Sequence, residues 1–334
     1  MMNDYNSTCH PTVLEAIKNV SERRYVGYGA DEATAVAVEM IRQMTGLPDA
    51  YVQLMPGGTI TNLTAISAFL RPHEAVVAPS IGHIYVHETG AIEATGHKVL
   101  TIQAKNGKAQ AADVLTIADS HTDEHMVKPK LLYISQTTEL GTVYTKAELK
   151  LLRNICDEFG MYLYIDGARL GYAVSSKNSD LSIKEIASMA DAFYIGGTKN
   201  GLLFGEALVI CNPSLAADFR HIVKQRGALM SKGFLLGMQF QAILLGGLYF
   251  ELAAQANDAA ARLTEGLRNK GIPLLIETES NQVFPVVQKK TLSRLEEQVV
   301  FEVWARSTEA GTPIRFVTSW QTTDEDIESA LKLF

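Results

Sequence analysis

Short apolar runs of strand type alternate with segments of helical period through the first two thirds of the chain. The runs are AVVAP (75–79), KVLTI (98–102), KLLYIS (130–135), MYLYID (161–166), DAFYIGG (191–197) and EALVIC (206–211). Between the third pair of runs, Leu149, Leu152, Ile155, Cys156 and Phe159 recur at helical spacing. Thr145 with Glu148 three residues on writes a capping box at the start of that helix, and Gly160 supplies its stop. Near-continuous apolar strands joined by helical crossovers predict an α/β fold with a mainly parallel sheet covered on both faces. Functional groups in such a sheet belong at the carboxyl ends of the strands.

From about residue 250 the pattern changes. AAQANDAAARLTEGLRNKG predicts an amphipathic helix, QVFPVVQ and IRFVTSW predict shorter strands, and a last helix follows TTDED. This texture predicts a large domain over 15–248 and a smaller α+β domain over 249–334, with the N-terminal arm 1–14 packed on the latter. No Gly/Ser-rich or Pro-rich linker separates them, so a tight interface is expected. The apolar stretch GFLLGMQFQAILLGGLYF (233–250) carries Gln239, Gln241 and four glycines and predicts one buried helix rather than a membrane span.

Composition narrows the partners. The 334 residues are 47% hydrophobic and 20% charged, with a net charge of -7 and the 30 Lys and Arg scattered. That balance argues against nucleic acid and anionic membrane and for a small-molecule partner. Three cysteines without CxxC spacing support neither a disulfide framework nor a zinc site, and no metal is expected. The N-terminus has no basic region followed by an apolar run, so a cytoplasmic location is expected.

Several polar residues fall where strands end. Asp166 closes MYLYID, Lys199 follows FYIGG, PGGTITN (56–62) enters a helix through two glycines, and Arg315 lies in PIRFVTSW. Alone, a strand-end Asp is also a helix N-cap, and a loop lysine is also a surface charge. Together, an anion site at a helix start, a strand-end carboxylate and a loop lysine suggest pyridoxal 5'-phosphate. The lysine amine would take up the cofactor's aldehyde, and the carboxylate would keep the pyridine nitrogen protonated. Neither GxxxxGK[ST] nor a GxGxxG after a first strand is present.

Over nearly its whole length the chain resembles the threonine aldolase and aromatic amino-acid beta-eliminating lyase family of fold-type I pyridoxal-phosphate enzymes. The resemblance rests on NDYNSTCHP, GYGADEAT (27–34), PGGTITNLTAI, GHIYVHETGA (82–91), LYIDGARLGYA, GGTKNG and RFVTSW, in that order. TKNG and RFVTS are shared with the phenylserine aldolase and low-specificity L-threonine aldolase branch. The resemblance implies an aspartate aminotransferase-like large domain and cleavage of L-3-hydroxy-α-amino acids, such as L-threonine, L-allo-threonine and phenylserine, to glycine and an aldehyde. Beta-elimination, releasing ammonia and a keto acid, is the alternative on the same scaffold.

Carried over by position, the resemblance implies that Lys199 holds the cofactor and Asp166 pairs with its ring nitrogen. Gly58 and Thr59 would bind the phosphate, with Thr198 a lesser candidate. His83 would stack on the ring and act on the substrate side chain, and His125 would approach the substrate hydroxyl. Arg169 and Arg315 would bind the substrate carboxylate. Asn3 stands where many relatives have a carboxylate-binding serine, and Ser319 stands where they have histidine. The resemblance also implies a homodimer or homotetramer with shared active sites, with Tyr28, Lys224 and Arg226 as candidates for the shared edge.

Overall fold

The computed structural model describes residues 1–20 and 22–334. In chain order its strands are β1 (Tyr51–Met55), β2 (Glu74–Pro79), β3 (Val99–Ile102), the small hairpin β4 (Ala104–Lys105) and β5 (Lys108–Ala109), β6 (Lys128–Ser135), β7 (Tyr162–Asp166), β8 (Ala192–Gly196) and β9 (Glu206–Ile210). The C-terminal part adds β10 (Gln282–Val283), β11 (Val286–Val287), β12 (Glu302–Val303) and β13 (Thr312–Val317).

Seven strands form the main sheet in the order β1-β9-β8-β7-β6-β2-β3. All neighbours pair in parallel except those of β9, which runs antiparallel to both β1 and β8. β1, with Gln53 in its middle, is the strand whose pattern the apolar runs did not announce. Alternation along the central strands explains why they read as continuous apolar runs. Leu132 and Ile134 of β6 face one core and Leu131 and Tyr133 the other, and Leu163, Ile165 and Tyr164 of β7 divide the same way.

The helix Lys146–Glu158 begins with the Thr145–Glu148 capping box, both reciprocal hydrogen bonds being formed. The apolar stretch 233–250 differs from the single helix expected. It forms the helix Phe234–Leu244, then turns at Gly246 (φ 70°) and Gly247 (φ 84°) into the helix Leu248–Asn269. Extended backbone at Leu245 ends the first helix, and left-handed backbone at the two glycines, which glycine adopts without a Cβ penalty, turns the chain into the second.

The helix Leu248–Asn269 divides its length between two cores. Tyr249 and Leu252 pack with the main sheet, while Ala259, Leu263 and Leu267 pack with Val283, Ile314 and Phe316 of the small sheet. That sheet has β13 at its centre, paired with β10, β11 and β12. The N-terminal arm reaches the same region, where Val317 N–H donates to the Met1 carbonyl at 2.9 Å.

Candidate active site

The register of β6 on β7 sets Ser135 opposite Asp166, so two parallel strands deliver polar residues side by side at their carboxyl ends. The β8–β9 connection brings Lys199 to the same edge, and the start of the helix Gly58–Phe69 enters from β1. These pieces wall one cavity, lined among others by Gly58, Thr59, His83, Asp166, Arg169 and Lys199.

Asp166 is buried and fully engaged. Its Oδ2 accepts from Tyr133 Oη at 2.7 Å and Asn62 Nδ2 at 2.9 Å, and its Oδ1 accepts from Ala168 N at 3.0 Å and from Tyr194 Oη. Burial alone would raise its pKa; the nearby His83 and the donors from Tyr194, Ala168 and Asn62 outweigh burial and hold it below the usual carboxylate value. An anion is thereby kept at the strand end, as a partner for a protonated ring nitrogen must be.

Lys199 sits in a turn fixed from several sides. Its carbonyl accepts from Tyr172 Oη at 2.6 Å, and Asn200 Nδ2 donates to the Tyr249 carbonyl at 2.7 Å. Burial lowers the Lys199 pKa and the Arg169 charge lowers it further, which raises the share of free amine able to attack an aldehyde. Glu206, the first residue of β9, lies beneath this turn and accepts from Thr198 Oγ1 at 2.7 Å and Gly197 N at 3.0 Å. Thr198 therefore lines the cavity with its single hydroxyl proton already given to Glu206, which leaves none to donate to a phosphate.

Burial pushes the Glu206 pKa above its ordinary 4.5. A carboxyl whose pKa is raised by folding adds stability that is full below the unfolded value and is lost as pH rises through the folded one. Glu206→Gln removes that loss and takes an anionic neighbour from Lys199, which acts in the same direction. The apoenzyme melting temperature of the variant is expected to fall less than that of wild type between about pH 5 and 8. Parallel wild-type and variant curves would contradict the raised pKa.

The donor set fits pyridoxal phosphate. No side chain caps the helix Gly58–Phe69, and the backbone N–H groups of Gly58, Thr59 and Ile60 have no acceptor among the described residues. Gly57, Gly58 and Thr59 line the cavity, and a Cβ placed on Gly57 would meet nothing within 4 Å. An uncapped helix start of this kind, with its dipole, is an anion site. The residues able to hold the group are thus the Gly58 and Thr59 amides for the phosphate, Asp166 for the ring nitrogen and Lys199 for the aldehyde.

The other expected residues separate into two groups. His83 and Arg169 are on the cavity wall. His83 Nδ1 shares a 2.8 Å hydrogen bond with Glu88 Oε1, and Asn62 Nδ2 joins Glu88 Oε1 (2.8 Å) to Asp166. Arg169 is gripped by Asp4 through Nε (2.8 Å) and Nη2 (3.0 Å), and Asn281 Nδ2 also donates to Asp4 at 2.8 Å.

Arg315, Asn3 and His125 lie off the wall. Arg315 pairs with Glu302, donates to Gln282 Oε1 at 3.2 Å and packs its guanidinium 5.1 Å from the Trp304 ring centre. Asn3 accepts from Tyr5 N at 3.1 Å and borders a separate hollow with Ser319; its neighbours Asp4 and Tyr5 are the arm residues that reach the site. His125 is exposed and lies before β6, at the strand's amino end, whereas the cavity is at its carboxyl end beyond Ser135. The strand length therefore rules out a position on this cavity wall. Tyr133, Tyr194, Asn62, Glu139 and Glu206 are site residues that the sequence reading did not single out; Asn62 and Tyr194 stood within quoted motifs but carried no chemical signal of their own.

A family model described as Beta-eliminating lyase matches residues 14–290. The low specificity L-threonine aldolase of Pseudomonas sp. (strain NCIMB 10558) is 31% identical over 96% of this chain and 92% of the relative. A solved structure of Leishmania major threonine aldolase superposes with a TM-score of 0.97 at 44% identity, covering 99% of this chain and 97% of that one. Aspartate aminotransferase from Thermus thermophilus, at 16% identity, superposes with a TM-score of 0.74 over 98% of this chain and 88% of its own, which shows the fold. With the lysine, the aspartate and the open helix start meeting in one cavity of this fold, the chain belongs to the beta-eliminating lyase family and is a pyridoxal-phosphate-dependent carbon–carbon lyase.

Proposed function

We propose that the enzyme cleaves L-3-hydroxy-α-amino acids, including L-threonine, L-allo-threonine and phenylserine, to glycine and an aldehyde by a retro-aldol reaction. The observation that carries this reading is the convergence of Lys199, Asp166 and the uncapped start of Gly58–Phe69 on one cavity, in a chain similar to threonine aldolases. Bound pyridoxal phosphate supplies an electron sink for charge left on the substrate's α-carbon.

The residues divide the remaining work. The Gly58 and Thr59 amides hold the phosphate, and Asp166 stays anionic against the ring nitrogen. With the substrate bound through its own amine, Lys199 would be free to act as a base. Arg169 keeps one Nη outside its grip on Asp4 for the substrate carboxylate, and Arg315, paired with Glu302, is the second arginine proposed for it. His83, tethered by Glu88, presents its ring to the cavity.

Self-association belongs to the same proposal. Leu14 and Leu245 are 56% and 70% exposed beside a groove between the helices Pro11–Lys18 and Phe234–Leu244, and Lys224 Nζ lies 4.6 Å over the exposed Tyr28 ring. We read these faces as contacts of a cytoplasmic homodimer or homotetramer.

Product analysis decides the reaction. Purified, cofactor-loaded protein given each of the three substrates is expected to release equal amounts of glycine and aldehyde. Ammonia with a keto acid, and no glycine, would assign beta-elimination instead.

A further inference from the structure

Three carboxyl groups line the cavity: Asp166, Glu206 and Glu139. Two have no capacity to spare. Four donors surround Asp166, and both oxygens of Glu206 hold the turn before Lys199. Glu139 is different. Its Oε1 accepts from Ser135 Oγ at 2.7 Å and from the His83 backbone N–H at 2.8 Å, while Oε2 accepts from no other residue among those described. The residue is only 8% exposed, and what surface it has belongs to the cavity wall.

We propose that Glu139 is a catalytic residue whose Oε2 takes the proton from the substrate's β-hydroxyl during carbon–carbon cleavage. This rests on the retro-aldol reading above. The O–H bond breaks as the proton passes to Oε2, the oxygen's electron pair forms the aldehyde C=O, and the Cα–Cβ pair remains on Cα, where the bound cofactor delocalises it. Cα then takes up one proton to become glycine, and Glu139 gives one proton to water at the cavity mouth. Atoms and charge balance with no oxidant or reductant.

Three features support the assignment. First, the group is rigidly placed: Gln136 clamps the turn through hydrogen bonds to Tyr144 N (2.9 Å) and Tyr144 O (3.1 Å), and Thr138 Oγ1 meets Thr142 Oγ1 at 2.7 Å. Second, both contacts of Oε1 leave the second oxygen turned to neither Ser135 nor His83. Third, burial raises the Glu139 pKa against hydrogen bonds from Ser135, its own amide and His83, with the Asp166 charge adding to the rise, so its carboxylate is a stronger base than a surface glutamate. The other ionisable groups facing it are Arg169, Tyr133 and Tyr144. The tyrosines are held protonated by burial, and Arg169 is held by Asp4.

Glu139→Gln tests the role, because glutamine keeps the volume and can still accept from Ser135 and His83 through one oxygen but cannot take a proton. Three quantities are measured on the cofactor-loaded wild type and variant. They are L-threonine cleavage to glycine and acetaldehyde, exchange of the glycine α-proton in D2O, and glycine affinity from the cofactor's visible spectrum. Glycine has no β-hydroxyl, so the last two need everything in the site except this base. The expected result is a fall of about 10²- to 10⁴-fold in threonine cleavage, with glycine exchange and affinity unchanged. Wild-type cleavage by the variant would overturn the proposal and return the role to His83. Loss of glycine affinity and exchange along with cleavage would also overturn it, by making Glu139 a support for the His83 backbone. Keto acid and ammonia from the wild type would overturn the aldolase reading itself, and this proposal with it, before the variant is compared.

Discussion

Lys199→Ala is expected to abolish turnover and the visible absorbance of the lysine-bound cofactor while leaving the fold intact. The loss in kcat is on the order of 10⁴-fold or more, the scale met when the residue that bonds covalently to the reacting partner is removed. Folding survives because the turn is held by groups other than the lysine side chain. Tyr172 binds the Lys199 carbonyl, Glu206 holds Gly197 and Thr198, and Asn200 is tied to Tyr249. Burial disfavours the charged form of Lys199, so removing it takes away an energetic cost at neutral pH, and the apoenzyme melting temperature is expected to stay level or rise. Lys199→Arg should be equally inactive, since a guanidinium stays protonated and offers no free amine. Borohydride reduction followed by peptide mass analysis would locate the cofactor on the Lys199 peptide in wild type only. Full turnover by the alanine variant would remove Lys199 from the covalent role.

What the sequence made legible was mostly local. The Thr145–Glu148 capping box, the strand ending at Asp166 and the Gly-rich helix entry at Gly58 each depend on neighbours within a few residues, and the structure contains all three. Pairings across long separations were not legible. β1 docks on β9, some 150 residues later, and its polar Gln53 hides the strand; the side chain is accommodated by donating to the Leu54 carbonyl at 3.0 Å. The Asp4–Arg169 pair joins the first turn of the arm to the end of β7, and nothing in either segment announces the other.

His125 shows why proximity in sequence misleads at a strand. β6 spans Lys128–Ser135, and a strand advances about 3.3 Å per residue, so residues flanking its two ends are more than 20 Å apart. A histidine shortly before the strand and a glutamate shortly after it both flank it in the sequence, yet only Glu139 reaches the cavity. No motif signalled Glu139, because a buried carboxyl whose second oxygen no other residue engages is a property of packing. The break at Gly246 and Gly247 was similarly ambiguous: hydropathy runs straight through it, and only the backbone, extended at Leu245 and left-handed at the two glycines, separates the two helices.

The Asp166→Asn substitution is expected to cost both stability and turnover, for separable reasons. The four donors around Asp166 approach in two pairs, Tyr133 and Asn62 at one oxygen, Tyr194 and the Ala168 amide at the other. An asparagine offers one oxygen and one NH2, so whichever way it is turned, two donors face a donor. Leaving buried donors unmet costs about 1–3 kcal/mol, and a lowered melting temperature of the apoenzyme at neutral pH should report it. Because folding lowers the Asp166 pKa, its contribution is present above the unfolded value near 3.8 and is lost as pH falls through the lower folded value. The stability gap between wild type and variant should therefore narrow in acid. Catalysis suffers through charge. A neutral amide cannot hold a protonated ring nitrogen, and kcat is expected to fall about 10²- to 10³-fold, as when a pre-placed electrostatic group is removed. Lys199 remains able to take the cofactor's aldehyde, so the visible absorbance should persist in the variant. A spectrum retained with turnover lost would separate holding the cofactor from tuning it; full turnover with the stability loss alone would confine Asp166 to a structural hub for Tyr133, Tyr194 and Asn62.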